Sequence, residues 1–168
     1  MTEQQKEDLV TSLNQLLADT AVFRHKAQVY HWNVTGLLFG ELHAEFGDIY
    51  DMLADDYDAT AEQVRALGET PYAGLQTFVR ESVLEDASVE ALTNDPAENQ
   101  RYAVEMIRNL YDDNEKILRV ISEIEKVAEE ADAQGVLDFI NGRHSTHNMI
   151  RYKLGSYLGG PNVPTDSQ

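Results

Sequence analysis

Apolar residues recur at the spacing of an α-helix along four long stretches of this sequence. These stretches cover residues 3–33, about 38–67, 95 to about 130 and about 133–158. Apolar side chains at every third or fourth position form a stripe on one face of each helix. Nowhere does the apolar–polar alternation of a half-buried strand continue long enough to predict a sheet. The chain is therefore predicted to be all-α.

Local signals mark the helix boundaries and the order of the helices. Thr2 with Gln5 has the pattern of a capping box, and Asp95 followed by Pro96 marks the start of the third long helix. Between the second and third long helices, in residues 68–94, the apolar spacing predicts one short helix. A connection of this length lets the second and third long helices run parallel. The predicted fold is a four-helix bundle with one long crossover.

Length and charge limit the classes of function. The 168 residues predict a single domain, residues 1–168, with a core over about 3–158 and a flexible tail at 159–168. The net charge of −17 argues against DNA binding and suits a protein that attracts cations. The absence of cysteine excludes disulfides and thiolate metal sites. Because the N-terminus is polar and no apolar run approaches the roughly 18 residues of a membrane span, we expect a cytoplasmic protein.

Two histidines and a carboxylate pair stand out on the first two helices. His31 and His43 lie near the junction of these helices, and Asp58 and Glu62 follow at i, i+4 spacing. Imidazole and carboxylate are typical ligands of iron and zinc. Yet His43 and Asp58 lie about 22 Å apart along one helix, and metal–ligand bonds are only about 2 Å long. Two antiparallel copies would bring them together, which predicts a metal site shared across a dimer interface.

Each of these residues also has an ordinary structural interpretation. Asp58 and Glu62 could belong to the solvated face of an acidic helix. His31 could interact with the C-terminal helix dipole, and Trp32, the only tryptophan, could pack in a core or an interface. The sequence contains no Glu-x-x-His pair, which argues against the usual di-iron site within one bundle. The joint arrangement of the residues favours the shared site.

The motif around these residues resembles that of a known family. The run H-W-N-V-x-G-x-x-F-x-x-L-H-x-x-F, which begins at His31, is followed by Asp58-x-x-x-Glu62. This pattern resembles the Dps family of mini-ferritins, and the helix layout matches over about residues 5–158. The resemblance implies a ferritin-like fold and a hollow dodecameric shell.

The resemblance also implies an activity and a ligand set. It implies oxidation of Fe²⁺, commonly by hydrogen peroxide, storage of Fe³⁺ inside the shell and protection against oxidative stress. The ligands implied are His31 and His43 of one subunit with Asp58 and Glu62 of another, and Trp32 lies beside the centre. Zinc is a possible substitute for iron. DNA binding in the family usually depends on a tail rich in lysine and arginine, which this chain lacks, so none is expected.

One position departs from the family pattern. The family usually has an acidic residue four positions after the second histidine, where this chain has Gly47. The neighbouring Asp48 is turned about 100° around the helix. A replacement ligand could come from His144 or His147 on the fourth helix, although both could equally be exposed or packing residues. The alternative function is a shell that binds or sequesters iron without oxidising it. A helical scaffold protein without metal is a third hypothesis.

An acidic run ends the third long helix, formed by Glu125, Glu129, Glu130 and Asp132. The resemblance implies acidic pores at three-fold axes near this region, through which Fe²⁺ enters. A ring of carboxylates would concentrate cations there. A solvated, frayed helix end explains the same residues equally well.

Overall fold

The computed structural model describes residues 1–89 and 93–160 of the chain. Within these residues it contains four long helices, one short helix and no strand. The helices are α1 (Glu3–Asn33), α2 (Phe39–Ala66), α3 (Leu75–Glu81), α4 (Pro96–Glu130) and α5 (Gln134–Tyr157). The all-α prediction is confirmed, including the short helix in the crossover. Most of the tail predicted to be flexible, from residue 161 onward, lies outside the described residues.

The predicted helix starts are confirmed by their caps. The Thr2 hydroxyl accepts a hydrogen bond from the Gln5 amide at 3.2 Å, and the Gln5 side chain accepts one from the Thr2 amide at 2.8 Å. The Asp95 carboxylate accepts a hydrogen bond from the Ala97 amide at 2.9 Å at the start of α4. Both caps satisfy amides that the helix itself leaves without a partner.

Contacts between the helices fix their directions. Gln5, near the start of α1, donates to the carbonyl of Glu130, the last residue of α4. Further along α1, Lys26 forms a buried 2.6 Å ion pair with Asp113. These contacts make α1 and α4 antiparallel, and the short turn at residues 34–38 makes α1 and α2 antiparallel as well. It follows that α2 and α4 run parallel, as the long crossover predicts.

The core lies between the four long helices. It is filled by side chains with almost no exposed area, among them Leu9, Leu13, Phe23, Tyr30, Leu42, Phe46, Ile49, Leu53, Ile107, Leu110, Ile117 and Ile140. The short helix α3 buries only Phe78 and leaves Leu75 81% exposed. Among the described residues, no helix combines the length and the apolar composition that crossing a membrane requires.

A buried carboxylate ties the crossover to α1. Asp19 accepts hydrogen bonds from the Ser82 hydroxyl and from the Val83 amide, each at 2.8 Å. Its side chain is completely buried. Removal from water raises the pKa of Asp19 to about 6, although these hydrogen bonds act in the opposite direction. Asp19 therefore fixes the chain that follows α3, and with it the path of the crossover.

Candidate metal centre

His31 and His43 meet across the turn that joins α1 to α2. His31 lies in the last turn of α1, and His43 lies near the start of α2. Their rings stack with centroids 3.7 Å apart and planes inclined by 23°. Both side chains are half-buried. The fold thus brings together, within one protomer, the two imidazoles that the sequence singled out.

Each imidazole is oriented by the main chain of the other residue. The Nδ1 atom of His31 lies 2.6 Å from the carbonyl oxygen of His43, and the Nδ1 atom of His43 lies 2.9 Å from the carbonyl oxygen of His31. A carbonyl oxygen only accepts hydrogen bonds, so Nδ1 must carry the proton in both rings. When the rings are neutral, each Nε2 atom keeps its lone pair, the arrangement by which metal-binding histidines are usually held.

Gly47 allows the His31 ring to lie against the backbone of α2. A Cβ atom at position 47 would lie 3.2 Å from Nδ1 and 3.4 Å from Cε1 of His31. The shorter distance is tighter than side chains normally accept, so any larger residue would push on this imidazole. The space beside Gly47 is therefore taken by His31 of the same protomer.

Two aromatic rings flank the histidine pair. The Tyr50 ring meets His31 edge-on, with centroids 5.3 Å apart and planes at 79°. The Phe39 ring packs on His43 at 5.1 Å. The backbone of Tyr50 is held by Arg24, whose Nε donates to its carbonyl oxygen at 3.1 Å. These contacts limit the rotation of the imidazoles.

The acid pair lies elsewhere on the same helix. Asp58 and Glu62 are both exposed on α2. Over residues 1–89 and 93–160, no three histidine, aspartate or glutamate side chains are grouped closely enough to bind one ion. One protomer therefore holds the histidines and the carboxylates at two separate places.

The other candidates near the centre, Trp32 and Asp48, are exposed on the protomer. Trp32 is 61% exposed, and its ring meets the exposed His25 edge-on at 6.4 Å. Asp48 is exposed on α2. A contribution from either residue to the centre would require a second subunit or a rearrangement.

The two histidines of α5 contact side chains on α4. Neither of them lies beside Gly47. His147 is 1% exposed, and its Nδ1 lies 2.7 Å from the side-chain oxygen of Asn114. Burial lowers the pKa of His147 to about 3, which keeps the ring neutral in the core. The Nδ1 atom of His144 lies 2.7 Å from the Glu125 carboxylate. Within a protomer, neither histidine replaces the missing acidic ligand, because the nearest side-chain atoms to position 47 belong to His31.

The contact between His144 and Glu125 separates Glu125 from the rest of the acidic run at the end of α4. Glu125 is half-buried against His144, whereas Glu129, Glu130 and Asp132 are exposed. Asp132 adopts a positive φ of 51° just beyond the helix, and the chain turns there toward α5. Three carboxylates therefore remain at the surface, and a pore at this place stays a prediction.

Sequence reasoning missed Tyr50 and the exchange of hydrogen bonds between the histidines. A signal for Tyr50 exists, because it follows His43 by seven residues and so lies on the same face of α2. The hydrogen-bond exchange has no local signal, since it depends on how closely α1 approaches α2.

Comparison with known proteins places this geometry in context. The ferritin-like domain family matches residues 10–160. A low temperature-induced protein from Nostoc sp. is 30% identical over all of this chain and 90% of its own length. A DNA protection during starvation protein from Brevibacillus brevis is 30% identical over 87% of this chain and 91% of its own. The crystal structure of Dps from Staphylococcus aureus superposes with a TM-score of 0.82 at 25% identity, covering 91% of this chain and 96% of that one.

Proposed function

This chain belongs to the ferritin-like family, in its Dps branch, and from that premise we propose that it is a ferroxidase and an iron-storage protein. It oxidises Fe²⁺ with hydrogen peroxide and retains the Fe³⁺ product, which protects the cell from oxidative stress. Iron is the substrate and the cargo. Each oxidation site lies between two subunits, with His31 and His43 from one and Asp58 and Glu62 from the other.

The observation that supports this proposal most strongly is the mutual orientation of the two histidines. Both Nδ1 atoms are occupied by carbonyl oxygens, so two Nε2 lone pairs remain on stacked rings at the protomer surface. Imidazoles hold Fe²⁺, and carboxylates favour the harder Fe³⁺. The exposed Asp58 and Glu62 offer the carboxylates that this pair lacks. A two-fold axis between two subunits would form two such sites, each with the histidines of one subunit and the carboxylates of the other, because such an interface is self-complementary.

The surface of the protomer supports assembly with further copies. Large apolar side chains are exposed along α1, α2, α3 and the turn between the first two, namely Trp32, Leu37, Phe39, Met52, Leu75 and Val79. Contiguous groups of exposed apolar side chains are typical of surfaces that another protein covers. We propose that copies of this chain cover it within a hollow dodecamer in the cytoplasm, which Fe²⁺ enters past Glu129 and Glu130.

Mixing two inactive variants tests the shared site. Asp58→Ala removes a carboxylate, and His43→Ala removes an imidazole, so each variant alone is expected to lose peroxide-driven iron oxidation while still assembling. A mixed dimer carries one site with both defects and one intact site. Random mixing makes about half of the dimers mixed, so about a quarter of the sites regain activity. Stopped-flow absorbance after refolding the variants together measures the recovery.

The outcome separates three possibilities. Recovery on mixing supports the shared site, whereas two variants with unchanged rates would remove these residues from it. Activity that each variant loses and mixing does not restore would place all ligands within one subunit.

A second candidate function is a shell that sequesters iron oxidised elsewhere. The absence of a carboxylate at Gly47 favours it, and a Cβ atom at this position would already lie 3.2 Å from the His31 ring. Zn²⁺, which has no redox chemistry, is expected to bind the same ligands. If the wild-type protein binds Zn²⁺ through His43 but oxidises Fe²⁺ no faster than the His43→Ala variant, this second function is the correct one.

A further inference from the structure

An open groove lies where the short helix α3 packs against α1 and α2. Its volume is about 320 Å³, near the lower end of the roughly 300–1,000 Å³ that is typical of small-molecule sites. Leu75 and Val79 of α3 form an apolar wall of the groove. Phe78 lies between them in the chain and packs edge-on against the Tyr57 ring at 5.8 Å. The groove therefore fits a compact molecule with an apolar body.

Two polar groups meet at the same groove. Arg24 of α1 lines it, and its Nε atom donates to the carbonyl oxygen of Tyr50 at 3.1 Å, which leaves both Nη groups for another acceptor. The Tyr57 hydroxyl lies close enough to the guanidinium for this charge to lower its pKa. Burial acts more strongly and raises the pKa of Tyr57, so the phenol stays protonated and can donate a hydrogen bond.

Arg24 is a cation without a carboxylate partner in the part of the chain that the structure describes. Every lysine of the protein forms an ion pair. Arg24 forms none with any described carboxylate, although the chain contains 30 acidic residues. Its side chain is half-buried, where a charge is costly unless an opposite charge accompanies it. The groove thus presents a positive charge that an anion would neutralise.

We propose that this groove binds a small organic monoanion, a carboxylate attached to a compact apolar body such as a single aromatic ring. The carboxylate accepts hydrogen bonds from the Nη groups of Arg24 and from the Tyr57 hydroxyl, because a guanidinium matches a carboxylate in shape and in charge. The apolar body packs against Leu75, Phe78 and Val79. A few convergent polar groups on apolar walls are typical of ligand sites.

The charge around the groove selects among anions. Asp86 also lines it, and the protein carries a net charge of −17. Each further negative charge on a ligand is therefore repelled, which is a form of discrimination by unfavourable contacts. A monoanion is favoured over a dianion such as a phosphate ester.

Binding at this groove is compatible with assembly. Leu75 is 81% exposed and Val79 is 44% exposed, and both belong to the apolar surface that copies of the chain are proposed to cover. A copy that packs on the outer sides of these residues closes the groove over the ligand. Binding requires no iron, so it succeeds or fails separately from the proposed ferroxidase.

The test titrates para-fluorobenzoate into the assembled, metal-free protein and follows its fluorine NMR signal at mildly alkaline pH. The uncharged para-fluorobenzamide has the same ring, and para-fluorophenyl phosphate is the matching dianion. We expect the benzoate to bind at least about tenfold more tightly than either analogue, because hydrogen bonds to a charged group are the stronger ones.

Variants assign the binding to the two polar groups. Arg24→Gln is expected to weaken benzoate binding by about tenfold or more and to abolish the preference for benzoate over benzamide. Tyr57→Phe keeps the ring against Phe78 and is expected to weaken binding several-fold. Arg119→Gln is the matched control, because it removes the same charge at an exposed position of α4 and should bind as the wild type does.

Several outcomes would overturn the site. A wild type that binds benzoate and benzamide equally, or that binds no benzoate, overturns it, and so does Arg24→Gln with wild-type affinity. If Arg24→Gln does not assemble, because Arg24 also holds the main chain of Tyr50, Tyr57→Phe decides the question, and an unchanged affinity in that variant overturns the proposal. Loss of assembly in Arg24→Gln together with no binding by the wild type would show that a second copy fills the groove instead.

Discussion

The imidazole of His31 lies against the backbone of Gly47, with its Nδ1 atom 3.2 Å from the place that a Cβ atom at position 47 would take. The departure from the family motif and the position of a proposed ligand are therefore one structural fact.

Gly47→Ala is expected to weaken metal binding without weakening the fold. Alanine favours a helix interior over glycine by roughly 0.5–1 kcal/mol, which offsets part of the tight contact with His31. The displaced imidazole loses its alignment, so the affinity for Zn²⁺ should fall several-fold in calorimetric titration. Gly142→Ala is the control, because it lies inside α5 with nothing within 4 Å of its added Cβ atom. Equal Zn²⁺ affinities in the two variants would contradict the prediction.

His31→Ala and His43→Ala are expected to be strongly non-additive. Both residues are proposed ligands of one ion, and the stacking of their rings is lost with either change, although the main-chain carbonyl oxygens remain. Each single variant should lose nearly as much Zn²⁺ affinity as the double variant, which a double-mutant cycle measures. His25→Ala, on the same helix and exposed, should bind as the wild type does. Additive losses would show that the two rings act independently.

Asp19→Asn is expected to make the free energy of unfolding less sensitive to rising pH. Burial raises the pKa of Asp19 from 3.8 to about 6, so its contribution to stability is complete below pH 3.8 and is lost as the pH rises through 6. Asparagine keeps an oxygen for Ser82 and Val83 and carries no charge.

Relative to the wild type, the free energy of unfolding of Asp19→Asn should therefore increase between about pH 4 and pH 7 by up to about 3 kcal/mol. Urea unfolding at both pH values measures the difference. Asp8→Asn, at an exposed position of α1, should show no such trend. A pH-independent difference for Asp19→Asn would indicate that the carboxylate is ionised at little cost.

His147 is expected to make the fold sensitive to acid. Burial lowers its pKa from 6.5 to about 3, so the stability it contributes is present above pH 6.5 and is lost as the pH falls toward 3. In His147→Gln this part of the acid dependence should disappear, although lost packing lowers stability at every pH. Thermal unfolding between about pH 3 and pH 7 measures this acid dependence in the variant and in the exposed control His25→Gln. Parallel pH profiles for wild type and His147→Gln would contradict the assignment.

The protein is expected not to condense DNA. Its net charge of −17 repels phosphate, and binding through phosphate contacts requires clustered lysine or arginine. A gel-shift assay at low salt should leave duplex DNA at its free mobility. Retarded complexes that dissociate as the salt concentration increases would show that a basic surface forms on assembly.

Local patterns along the chain were enough to predict the helices, their order and the candidate ligands. Capping signals at Thr2 and Asp95 and apolar spacing act over a few residues, so the boundaries of α1 and α4 could be predicted closely. The i, i+4 spacing of Asp58 and Glu62 and the axial rise of a helix were enough to predict a site shared between copies. These properties depend on neighbours in the chain.

Contacts between side chains of different helices could not be predicted in this way. Three features depend on how closely α1 approaches α2: the reciprocal hydrogen bonds of His31 and His43, the contact of the His31 ring with Gly47 and its edge-on contact with Tyr50. No local sequence pattern encodes that distance. His147 was an open candidate for the metal because a histidine in a helix looks the same whether it faces a site or a core. Its place beside Asn114 follows from the packing of α5 on α4, since burial is a property of the whole bundle.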